Sequence, residues 1–215
     1  MQNKRSKFAF TLAEVLIAVA IIGVVAALTL PNLYRKTQER TLRANAQRAY
    51  SNIVQAARLL YAESPELFDC YYEISHYWRH DSICKDFWTE YSKKLKVSKT
   101  CPNNAYQKKC IPNYKYNNPP NESYGFQMAP LKTFPRAFVL VDGTIILPYY
   151  NSFEHPIIIV DTNGKKGPNK PGYDLFSLQL KQNGPGEFPI ITGKNSSLLN
   201  ANKNNGGKPF EDWLK

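Results

Sequence analysis

From Phe10 to Leu30 the chain runs FTLAEVLIAVAIIGVVAALTL, and Glu14 is the only ionisable side chain in that stretch. Few folds accommodate such a segment. At ~1.5 Å rise per residue it forms a helix about 31 Å long, close to the roughly 30 Å hydrocarbon core of a bilayer. Lys4, Arg5 and Lys7 precede it, and the first nine residues contain no acid. The positive-inside rule therefore keeps the amino-terminal end cytoplasmic and sends the carboxyl-terminal bulk outward. The expectation is a single-span protein with an exported body.

Glu14 is what a plain anchor does not explain. A carboxylate one turn into an apolar span costs about 2.5–3.5 kcal/mol on insertion scales, so it needs a proton or a partner. A secretory signal peptide normally has an uncharged core. Val25-Ala26-Ala27 offers small residues for a cut after Ala27, but that reading leaves Glu14 without a role, and so does an unprocessed anchor. A cut just before Phe10 instead creates an α-amino group at the interface, four residues upstream of Glu14. A neighbouring copy shifted along the helix axis then sets its ammonium against this carboxylate.

The run Ala9-Phe10-Thr11-Leu12-Ala13-Glu14-Val15-Leu16-Ile17 resembles the leader and mature start of type IV pilins and of the pseudopilins of type II secretion systems. The resemblance implies removal of a basic leader between Ala9 and Phe10 (the residue before the cut is usually Gly in that family), N-methylation of Phe10, an assembly role for Glu14 and a helix bend at Pro31. It also implies a non-enzymatic filament subunit anchored in the bacterial inner membrane, its body periplasmic or in an extracellular filament. The implied partners are copies of itself, other pilin-like subunits, prepilin peptidase and an inner-membrane assembly platform. The systems implied are a type IV pilus, a competence pseudopilus or a type II secretion filament.

Beyond Pro31, Leu42, Ala46, Ala49, Ile53, Ala57 and Leu60 recur at spacings of three and four, an apolar stripe on one helix face. Arg40, Arg43, Arg48 and Arg58 fall elsewhere, and Pro65 is the stop. One helix from about Phe10 to Ala62 is predicted, apolar in its first half and amphipathic in its second. Short helical pieces are expected around Tyr71–Ile83 and Asp86–Leu95. Strand patterning begins near Arg136: Ala137–Val141 and Thr144–Leu147 flank Asp142-Gly143, a strong hairpin signal, followed by Pro156–Val160 and Leu175–Leu180. The fold class expected is α+β, pilin-like, with the long helix packed on one face of a small antiparallel sheet of about four strands. The divisions expected are a leader at 1–9, a transmembrane assembly half-helix at 10–35, an exported domain at 36–193 and a flexible tail at 194–215. Within that tail, Pro209–Leu214 is a segment with the apolar residues to dock back.

Four cysteines in an exported body point to disulfides. Three connectivities exist; sequence proximity favours Cys70–Cys84 and Cys101–Cys110. Asp161, Asn163 and Asp174 lie in a run, Asp161-Thr-Asn163-Gly, whose alternating oxygen donors resemble the start of a calcium loop, and some pseudopilins bind calcium in a comparable segment. Lys165 occupies the fifth ligand place and no bidentate Glu closes the set, so the competing reading is a turn in which Asp and Asn bond their own backbone. No cofactor is expected, and calcium held by Asp161, Asn163 and Asp174 is the alternative. His76, His80 and Cys84 repeat every four residues with zinc-ligand chemistry, but no fourth ligand accompanies them. No nucleophile elbow, HExxH or dinucleotide glycine fingerprint occurs.

Formal charge is +11, from 28 Lys and Arg against 17 Asp and Glu, which attracts polyanions without naming one. Tyr106, Lys108, Lys109, Tyr114, Lys115 and Tyr116 interleave cations with rings, as single-strand binders do; the bland reading is a solvated lysine-rich loop. A tip-located subunit binding DNA or glycan is thus the alternative function.

Overall fold

The computed structural model describes residues 11–69, 81–102, 105, 108–112, 114, 137–149, 157–181, 190–192 and 208–215. The Ala9–Phe10 junction, Cys70, the Cys84 side chain, His76, His80, Tyr106, Lys115, Tyr116 and residues 194–207 lie outside them. The chain divides into two compact units, Met1–Thr41 and Leu42–Lys215.

Helix α1 spans Leu12–Glu63 without interruption, in agreement with the predicted single helix. Pro31 lies inside it, and the helix continues through this residue although proline offers no N–H to the carbonyl one turn back. In the first unit, large aliphatic side chains from Leu12 to Leu33 are all exposed. The most apolar window of the helix has a mean hydropathy of 2.6, and none of it is buried.

The second unit begins where burial begins. Leu42, Ala46, Ala49, Ile53, Ala57 and Leu60, the six stripe residues, are all buried, and Ala56 joins them. The helix stops at Glu63 because Pro65 opens a 3-10 turn, Pro65–Asp69. Helix α2 spans Asp81–Lys94, starting before the predicted Asp86 and leaving 71–80 outside the described residues. Its Tyr91 hydroxyl donates to the Ile53 carbonyl of α1 at 3.1 Å, inside an aromatic cluster with Phe68, Phe87 and Trp88.

Six strands follow in an antiparallel meander ordered as in sequence: β1 Val97–Thr100, β2 Phe138–Leu140, β3 Ile145–Tyr149, β4 Ile157–Asp161, β5 Leu175–Lys181 and β6 Ile190–Thr192. The four predicted strands are β2 to β5. The two additional strands are short edges, and β1, half-buried at Val97 and otherwise exposed, carries no apolar alternation to betray it. Asp142-Gly143 makes the predicted turn: Gly143 has φ 90°, Asp142 Oδ1 accepts from Thr144 N at 3.0 Å, and the same Asp142 pairs with Arg48 Nε at 3.3 Å and Asn52 Nδ2 at 3.1 Å. Arg48 is therefore not simply solvated, though an ion pair so exposed is worth about 1 kcal/mol or less.

The sheet is covered on both faces, not one. Phe138, Leu140, Ile146, Ile158, Val160, Phe176, Leu178 and Leu180 join the core with α1. The alternate positions Ile145, Leu147, Ile159 and Leu175 face Cys101, Ala105, Cys110, Ile111 and Tyr114. Two-sided burial explains why β4 reads as an unbroken apolar run. The second cover is a loop closed by the Cys101–Cys110 disulfide (Cα–Cα 5.9 Å), one of the two expected pairings. In the chain-entropy model a bridge around about ten residues contributes roughly 2–3 kcal/mol.

The carboxyl terminus is packed rather than part of a flexible tail. Helix α3, Phe210–Leu214, buries Phe210 and Trp213. Trp213 Nε1 donates to Gly172 O at 2.9 Å, and the Phe210 ring meets Tyr50 of α1 and Phe176 of β5. Two apolar rings outweigh the ordering of a few residues. Trp213→Ala is expected to cost about 3–5 kcal/mol, measured by urea unfolding of the detergent-solubilised chain with circular dichroism.

Candidate functional sites

Two places combine chemistry with position: the start of α1 and the turn between β4 and β5. At the first, Thr11 N donates to Glu14 Oε2 at 2.8 Å, the Thr11 hydroxyl donates to the same oxygen at 2.8 Å, and Glu14 N donates to Thr11 Oγ1 at 3.3 Å. This is a reciprocal capping box, Thr-x-x-Glu before an apolar run. Glu14 thus has a partner within its own chain, a role that the T-x-x-E spacing signals. Both side-chain contacts fall on Oε2, so Oε1 faces the surroundings of an exposed residue.

The second site joins Asp161, at the end of β4, to Asp174, just before β5; both are fully buried. Asp161 Oδ1 accepts from the N–H groups of Asn163 (3.2 Å) and Gly164 (2.8 Å), and Oδ2 accepts from the Tyr114 hydroxyl (3.0 Å). The Asn169 amide nitrogen, oriented as its neighbours require, donates to Asp161 Oδ2 (3.1 Å) and Gly164 O (3.0 Å). Asp174 accepts from Asn169 N and Lys170 N, both at 2.7 Å. Asn163 Nδ2 donates to Gly167 O at 2.7 Å. Gly164, at φ 64°, packs so closely that a Cβ there would lie 2.2 Å from the Gly143 carbonyl of the β2–β3 turn, so only glycine fits.

All three predicted oxygen donors are therefore brought together, as members of a self-capped turn. Each carboxylate oxygen already faces an N–H or O–H donor. Among the described residues the Asn163 Oδ1 is the one buried acceptor of the three candidate ligands without a hydrogen-bond partner, whereas calcium takes about six to eight oxygens. The Lys165 ammonium turns away to donate to Lys109 O at 2.9 Å. As arranged, the residues fit a hydrogen-bonded turn and do not fit a calcium cage. Tyr114, read in sequence as a ring for stacking on bases, is buried and spends its hydroxyl on Asp161; nothing in the local sequence announces that pairing.

Burial, and then the neighbouring Asp174 charge, push Asp161 up to about 7 against the pull of its Tyr114, Asn163 and Gly164 hydrogen bonds. Burial raises Asp174 too, opposed by the Lys170 and Asn169 N–H groups. Burial and the charge of Asp161 hold Tyr114 well above its ordinary value, so its hydroxyl remains a donor.

Comparison with known proteins adds one match. Residues 4–30 fit the prokaryotic N-terminal methylation motif. That stretch contains Glu14, its cap and most of the apolar half of α1. No curated protein matches the chain, and no solved structure matches it.

The buried turn generates a pH prediction. An acid whose folded pKa lies above its unfolded value binds its proton more tightly when folded. Its contribution to stability is therefore greatest at acid pH and declines as pH rises from about 4 through about 7. Asp161→Asn keeps an oxygen for the Asn163 and Gly164 N–H groups and removes the charge. It is expected to flatten the fall in Tm across that window; a curve parallel to the parent's would mean that Asp161 does not titrate there.

Proposed function

We propose that this chain, a pilin-like protein carrying the motif that prepilin peptidase processes, is a non-enzymatic structural subunit of an inner-membrane-anchored filament. The filament is of the type IV pilus, competence pseudopilus or type II secretion class. The observation that carries the reading is α1 itself: one helix whose first half is apolar and uncovered and whose second half seats a sheet. An uncovered apolar half-helix is stable in lipid as a single span, and equally among the same half-helices of other subunits. Translation between those two environments is what insertion followed by polymerisation demands, and head-to-tail contacts between subunits propagate an open filament.

In this reading the peptidase cuts between Ala9 and Phe10 and Phe10 is N-methylated. The freed ammonium of one subunit approaches Glu14 of the next, at the carboxylate oxygen that the Thr11 cap leaves unused. Before processing the amino terminus is cytoplasmic and the second unit lies on the far side of the membrane. The partners are other pilin-like subunits, the peptidase and an assembly platform.

Intact-mass measurement of the membrane-extracted protein is expected to show loss of residues 1–9 and gain of one methyl group. A chain retaining Met1, or beginning at Leu28, would contradict the assignment. A second experiment separates charge from cap. Glutamine sustains a capping box as glutamate does, so Glu14→Gln retains the helix start and loses the ionic partner. It is expected to insert normally and to be depleted from sheared filaments at least tenfold, and Glu14→Val likewise. Parental incorporation of Glu14→Gln would reduce Glu14 to a helix cap.

A further inference from the structure

Where the apolar half of α1 ends, a cluster of cations begins. Residues 31–43 hold four cations, Arg35, Lys36, Arg40 and Arg43, against the single acid Glu39. Arg35, Lys36 and Arg40 are exposed, whereas Glu39 and Arg43 are half-buried. Arg48, further along the helix, is already committed to Asp142 at 3.3 Å.

Helix geometry sets the depth of the cluster. With Leu30 at the edge of the hydrocarbon, a rise of ~1.5 Å per residue puts Tyr34 about 6 Å beyond it, Arg35 and Lys36 about 8–9 Å and Arg40 about 15 Å. The headgroup layer is roughly 5–8 Å thick on each side. Tyr34, 70% exposed, therefore stands at the level where interfacial aromatic rings gather. Side chains on a helix lean toward its amino terminus, which here is toward the bilayer. Lys36 and Arg40, one turn apart, share a face, and their long stems carry the charges back toward the phosphates. These cations flank the end of the span opposite Lys4, Arg5 and Lys7, so retention of a cytoplasmic end does not account for them.

We infer that Arg35, Lys36 and Arg40 bind the phosphate of anionic phospholipids in the leaflet from which α1 emerges. A zwitterionic lipid presents the same phosphate with its own cation beside it, so net headgroup charge is what the cluster selects. Each cation close to an anionic surface is worth about fivefold in affinity. The inference rests on reading the apolar half of α1 as a membrane span, and it requires neither cleavage, methylation nor polymerisation.

The test is native mass spectrometry of the full chain in non-ionic detergent, with equal amounts of phosphatidylglycerol and phosphatidylcholine of matched acyl chains. The parent is expected to retain phosphatidylglycerol over phosphatidylcholine by about tenfold or more. The variant Arg35→Gln with Lys36→Gln and Arg40→Gln is expected to bring that ratio to within about twofold of unity. Lys85→Gln with Lys99→Gln and Lys166→Gln, an equal loss of charge from the second unit, is expected to leave it unchanged. So is Arg35→Lys with Arg40→Lys, which keeps the charges. Equal retention of the two lipids by the parent would overturn the proposal and leave the span in place, whereas retention of neither would overturn both. An undiminished ratio in the triple glutamine variant on α1, an equal fall in the second-unit variant or a lost ratio in the lysine variant would also sink it. So would displacement of phosphatidylglycerol by an equal concentration of inorganic phosphate.

Discussion

The structure depends on apolar surface that one half of a helix cannot bury within its own chain. Twelve large aliphatic side chains between Leu12 and Leu33 stand 48–79% exposed. At about 1.5–3 kcal/mol for each such side chain removed from water, the deficit is on the order of 20–30 kcal/mol. Since a domain's net stability is about 5–15 kcal/mol, no reserve in the folded second unit offsets that exposure in water. The half-helix is compatible with a membrane anchor, and it carries most of the methylation motif of pilin-like proteins.

Within the second unit the same helix meets a different constraint. Ala46, Ala49, Ala56 and Ala57 are almost fully buried between larger neighbours such as Ile53 and Leu60. The larger side chains fill the layer between helix and sheet, and the alanines lie in the same buried cluster. The opposite face of the sheet is closed by the disulfide loop around Tyr114. That cover has a chemical consequence: it desolvates the end of β4, where Asp161 lies. The acid is then accommodated by the inward-facing N–H groups of Asn163 and Gly164 and by the Tyr114 phenol. The lysines between those inward-facing groups are left outside, so one folding solution produces both a buried acidic turn and an exposed basic surface.

Much of this was visible in order along the chain. The long helix, its two halves, the six stripe positions, the stop before Pro65 and the Asp142-Gly143 hairpin all follow from local period and turn chemistry, though the sequence set the boundary of the halves at residue 35 and burial begins at Leu42. So does the capping box, whose T-x-x-E signature lies at residues 11–14. The edge strands were not visible, because strands of three or four residues are too short to display a period, and β1 is only partly buried, at Val97. Nor was the packed carboxyl terminus assured, since Phe210 and Trp213 acquire their value only from the Phe176 ring and the Gly172 carbonyl that receive them.

Sequence alone settled which residues are apolar at which spacing, and hence the helix, its two halves and the core strands, because those patterns reflect neighbours within a turn or a hairpin. Tertiary structure decided everything that pairs distant positions: the second cover on the sheet, Tyr114 on Asp161 and Lys165 against Lys109. Those outcomes depend on which donors fold close enough to reach the same oxygen, and separation along the chain says nothing about that distance.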